Sequence, residues 1–99
     1  MTKLEEDQRL ARDKAKRKIQ KFEDDFADYK KKFEAQFNQI HSTIQKLGIS
    51  DDEMVRHEYN QQLEWHDERV RGAKKQLSEL KDNYESLLRD QEKERANEE

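Results

Sequence analysis

Leu47-Gly48-Ile49-Ser50-Asp51-Asp52-Glu53 is the stretch on which the fold turns. A glycine directly after an apolar helical pattern signals a left-handed C-cap, because glycine takes a positive φ without the Cβ penalty of other residues. Ser50 followed three residues later by Glu53 has the spacing of a capping box, so a second helix is expected to begin almost at once. Stop and start signals this close leave a connection that suits only an antiparallel neighbour. The turn is therefore assigned to residues 48–50, with Gly48, Ser50 and Glu53 as its determinants.

Outward from that break, apolar residues recur at steps of three and four in both directions. Upstream they are Ile19, Phe22, Phe26, Tyr29, Phe33, Phe37, Ile40, Ile44 and Leu47; downstream they are Val55, Tyr59, Leu63, His66, Val70, Ala73, Leu77, Leu80, Tyr84 and Leu87. This is the period of a narrow helix seam. The expected fold is all-α, an antiparallel two-helix hairpin or helix-turn-helix rod over residues 1–99. Helix 1 is placed at about 3–47 and helix 2 at about 51–92, followed by a frayed C-terminal tail. Thr2 and Glu5 form a further capping box, but the first turns carry only Leu4, Leu10, Ala11 and Ala15, and that end is expected to be weakly anchored. Closing the hairpin at residues 48–50 sets Ile44 against Val55, Ile40 against Tyr59 and Phe37 against Leu63.

Composition agrees with long helices. Of 99 residues 45% are charged and 30% hydrophobic, proline is absent, and glycine occurs twice. Eight aromatics set in a sustained apolar period argue against a disordered chain. Residues 1–49 carry 12 basic and 9 acidic groups, and residues 50–99 carry 9 basic and 15 acidic groups. Net charges of opposite sign favour pairing of the two arms. Absence of cysteine excludes disulfides and cysteine-based zinc sites. No run approaches a membrane span and no apolar signal core opens the chain, so a cytoplasmic protein is expected, one exported, if at all, without a cleaved signal peptide.

Candidate functional residues are those the seam alone does not explain. Phe22, Phe26, Tyr29, Phe33 and Phe37 form an aromatic ladder at seam spacing; core packing is the plain reading, but two helices cannot enclose five large rings. Completion as a four-helix bundle, by dimerisation or by a partner, is expected. Trp65 lies beside the seam rather than on it, and Gly72 follows seven residues later on the same face. A tryptophan next to a glycine notch suits the close approach of another helix. His66 reads as a hydrogen-bonded seam histidine, while His41 and His57 lack the spacing of a metal site. The basic runs Arg12–Lys21 and Lys30–Lys32 are interleaved with acids and carry no aromatics, so nucleic-acid binding is not expected. There is no phosphate loop, nucleophile–base pair or paired carboxylate, and neither an enzyme nor a cofactor is expected.

With its length, hairpin symmetry and central glycine turn, the chain resembles the small helical-hairpin proteins associated with type VII secretion systems of Gram-positive bacteria. Lys46-Leu47-Gly48 stands where that family has its Trp-x-Gly turn, and Tyr84 is followed four residues on by Leu88 rather than by the acid of the export motif. The resemblance is thus to the divergent accessory proteins encoded beside LXG-type toxins. It implies a targeting factor whose partner is the helical N-terminal domain of such a toxin. The other function expected from the seam is self-association, as a homodimeric coiled-coil scaffold or spacer.

Overall fold

The computed structural model describes residues 2–98 and shows an all-α chain, two long helices packed as an antiparallel hairpin. Helix α1 runs Lys3–Leu47 and α2 runs Glu53–Glu98. Contacts divide the chain into two compact units. The turn unit is Asp25–Ala73, and the terminal unit combines Met1–Asp24 with Lys74–Glu99.

In the turn unit, α1 ends in a Schellman motif. Gly48 has a φ of +67°. Its N–H donates to the Gln45 carbonyl at 3.1 Å, and the Ile49 N–H donates to the Ile44 carbonyl at 3.3 Å. These two bonds satisfy carbonyls that the helix end would otherwise strand. The start of α2 differs from the sequence expectation. Asp52, not Ser50, is the N-cap, its Oδ1 accepting from the N–H groups of Met54 at 2.9 Å and Val55 at 3.1 Å. A turn closed by the Asp52 N–H on the Ile49 carbonyl takes up Ser50 and Asp51, so the helix begins at Glu53 rather than 51. Ser50 contributes its carbonyl to Arg56 Nε at 3.2 Å, and Arg56 Nη2 pairs with Asp51 at 2.9 Å. The Ser50–Glu53 capping box is thereby replaced by an Asp cap.

The seam of the turn unit is aromatic. Phe33 stacks on the His66 ring at 3.7 Å between centroids and 3° between planes, and Tyr29 Oη lies 3.4 Å from His66 Nδ1. Phe37 meets Tyr59 at 4.4 Å, and His41 flanks the same ring at 5.9 Å. The register agrees with closure of the hairpin at residues 48–50: Ile44 and Val55 line the same groove, and Tyr59 sits between Phe37 and His41, at the level of Ile40. Ile40 lies at the edge of the seam and is 50% exposed. Leu47 is also exposed, because α2 starts only at Glu53 and places no turn of helix opposite it.

The terminal unit is held by amides. Gln8 and Gln91 are 4% and 3% exposed, the only buried side chains among the described residues. Gln8 Nε2 donates to the Gln91 carbonyl at 3.0 Å, and Gln91 Nε2 returns the bond to the Gln8 carbonyl at 2.9 Å. Arg12 Nη1 adds a bond to Gln91 Oε1 at 3.1 Å. The first turns of α1, expected to be weakly anchored, are thus clasped to α2, and α2 continues through the expected frayed tail to Glu98. Thr2 Oγ1 caps α1 by accepting from the Glu5 N–H at 3.2 Å.

Candidate helix-docking surface

The described residues contain no buried hydrophobic side chain at all. Every seam residue from Ile19 to Phe37 on α1, and from Val55 to Leu87 on α2, is partly buried, and none fully. Such a seam orients two helices but leaves an edge of each apolar side chain in contact with water, at roughly 25 cal/mol for each Å².

In the turn unit that unburied surface differs between the two flanks. At about 100° per residue, Met54, Glu58, Trp65, Arg69 and Gly72 fall within one narrow sector of α2, adjacent to the sector of Val55, Tyr59 and His66 that faces α1. Met54 is 78% exposed and Trp65 49%. Across from Met54, Ile40 and Ile44 of α1 complete an open groove of about 520 Å³, bordered by Phe37, Glu58 and Gln62. The opposite flank carries a smaller groove, about 170 Å³, lined by His41, Ser50, Arg56 and Asn60 beside Ile44, Val55 and Tyr59. Both grooves have an apolar floor; the Met54 flank differs in its larger groove and in its exposed methionine and tryptophan.

The residues singled out in the sequence separate into two groups. Tyr29, Phe33 and Phe37 turn toward α2 of their own hairpin, with neighbouring rings 6.4 Å and 5.2 Å apart along the ladder. Phe26 lies half-buried beneath Lys30 Nζ, 4.9 Å from the ring centroid. Phe22, in the terminal unit, is likewise half-buried. The ladder is spent first on the hairpin seam. Trp65 and Gly72 are not: a Cβ built on Gly72 meets nothing within 4 Å, so no neighbour in this chain requires a glycine there. Gly48, Ser50 and Glu53 belong to the turn and its exit, as described above.

Sequence reasoning missed Met54 and Ile40 as members of this surface. Met54 stands next to a seam residue, and Ile40 fits the seam period, so periodicity alone hides both. Among the described residues no three His, Cys, Asp or Glu side chains gather as a metal site would require. None of the described helices is long and apolar enough to cross a membrane. No protein-family model matches the chain, and no curated protein or solved structure is significantly similar to it.

Proposed function

We propose that this chain is a non-enzymatic helical adaptor or targeting factor that binds a protein partner with long helices. The observation that carries the reading is the exposed flank of Ile40, Met54 and Trp65 on a hairpin whose described residues include no fully buried apolar side chain. A flat tryptophan beside an open groove, next to a glycine that admits close approach, is the arrangement expected of an interface anchor. A helix laid along this flank would cover the anchor and further enclose Phe33 and Phe37, bringing the layers toward those of a four-helix bundle. The resemblance to type VII secretion accessory proteins supports an LXG-type toxin as the source of those helices, with binding in the cytoplasm before export.

The test is calorimetric titration of the purified chain with the purified helical N-terminal domain of an LXG-type toxin. Binding should weaken by about 2 kcal/mol or more in Trp65→Ala, the loss typical of a buried anchor, while helicity stays unchanged. No heat of binding from the wild-type pair would reject the reading.

A further inference from the structure

We propose that the Trp65 flank is self-complementary and is occupied by a second copy of this chain when no other helix is present. Helix α2 would lie antiparallel on α2 of the second copy, about a two-fold axis at the level of Leu63. The inference rests on the reading of this flank as a helix-docking surface and names its first occupant.

The argument is one of pairing under a two-fold axis. An isologous contact requires that residue i meet residue j while j meets i. On this flank Glu58 and Arg69 bracket Leu63 almost symmetrically, and so do Met54 and Gly72, and Gln61 and Trp65. In the antiparallel arrangement each Glu58 carboxylate meets Arg69 of the other copy, twice in the dimer. Neither side chain has a hydrogen-bond or ion-pair partner among the described residues of its own chain, so both are available. The side chain of Met54, most exposed of the large hydrophobics, falls opposite Gly72 of the other copy, where open space meets any incoming group. Trp65 is covered by the aliphatic stem of Gln61. A parallel pairing would instead set Glu58 against Glu58, Arg69 against Arg69 and leave the glycine notches facing one another. Charge and shape both select the antiparallel form.

There is surface enough for it. The chain exposes 8346 Å², whereas a compact monomer of 12.1 kDa exposes about 6,000 Å². The surplus exceeds the roughly 800 Å² that each partner contributes to a standard interface. The opposite flank of the turn unit, with Arg56 and Asn60, carries no exposed large hydrophobic of α2.

The experiment is sedimentation equilibrium of the full chain at micromolar concentrations, with a charge-swap cycle. Wild type should sediment at twice 12.1 kDa. Glu58→Arg and Arg69→Glu should each weaken the dimer by about tenfold, since each breaks both symmetry-related pairs, and the double swap should restore it. The two positions are eleven residues apart on one helix, beyond mutual reach within a chain, so restoration can only be intermolecular. Gly72→Leu should dissociate the dimer without loss of helicity. A monomer at every concentration, a double swap no better than the single swaps, or a Gly72→Leu dimer as tight as wild type would each overturn the proposal. A monomer that still binds the toxin domain removes the self-pairing alone. A charge-rescued dimer that binds no toxin domain removes the adaptor reading alone.

Discussion

The two glycines carry opposite obligations. Gly48 holds φ at +67°, where a β-branched residue is strained, and its N–H and that of Ile49 close the end of α1. Gly48→Val should cost about 1–2 kcal/mol, the penalty for a left-handed L-residue, read from the urea midpoint at unchanged m-value. An unaltered midpoint would mean that the turn tolerates another backbone path. Gly72 is helical, exposed and without neighbours, so it costs the isolated hairpin about 1 kcal/mol relative to alanine and returns nothing within the chain. Gly72→Ala should raise the urea midpoint of the dilute protein accordingly. Failure to stabilise would show that the glycine has a role inside the hairpin that its open surroundings do not reveal.

At the scale of the helix, the period of the apolar residues made both elements and their antiparallel order legible, because steps of three and four admit no other regular structure. The chain reversal at Gly48 was legible for the same steric reason. The start of α2 was not, since Ser50, Asp51 and Asp52 are all competent caps and only the turn closed on the Ile49 carbonyl selects among them. Pairing across the seam was legible, since Phe33 meets His66 and Gln8 meets Gln91 at the offset that closure at 48–50 implies. The clasp was missed because Gln8 and Gln91 are polar. Yet each lies one seam step beyond the apolar run, Gln8 three before Ala11 and Gln91 four after Leu87. Counting steps without regard to polarity would have found them. Each Nε2 donates to the main-chain carbonyl of the other residue, which truncation leaves in place, so Gln8→Ala and Gln91→Ala should each cost about 0.5–1.5 kcal/mol, the worth of the bond removed. The double variant should cost close to the sum, since neither bond uses the other residue's side chain. A coupling of about 1 kcal/mol or more in a double-mutant cycle would show that the two side chains depend on each other.

For the whole chain, stability and association are linked. Among the described residues no hydrophobic side chain is fully buried, so the chain has less than the usual apolar burial to offset conformational entropy. The half-buried seam leaves further stabilisation to be gained only by covering it from outside, and anything that binds the folded chain alone raises its apparent stability by mass action. Over a concentration range from about 1 µM to about 100 µM, a dimer dissociating near the lower end would gain roughly 1 kcal/mol per chain, since the partner is the chain itself and its free concentration rises only as the square root of the total. In a domain this small each kilocalorie moves the melting temperature by about 4–8 °C, so the midpoint should climb by about 5 °C. Far-ultraviolet circular dichroism at the two concentrations measures it. The single tryptophan supplies an independent reading of the same event. Its emission should shift to the blue with concentration in the wild type, as Trp65 leaves water, and stay unshifted in Gly72→Leu. A melting temperature independent of concentration, with Trp65 emission equally fixed, would mean that the half-open seam suffices on its own, and the case for a surface awaiting another helix would lose its energetic ground.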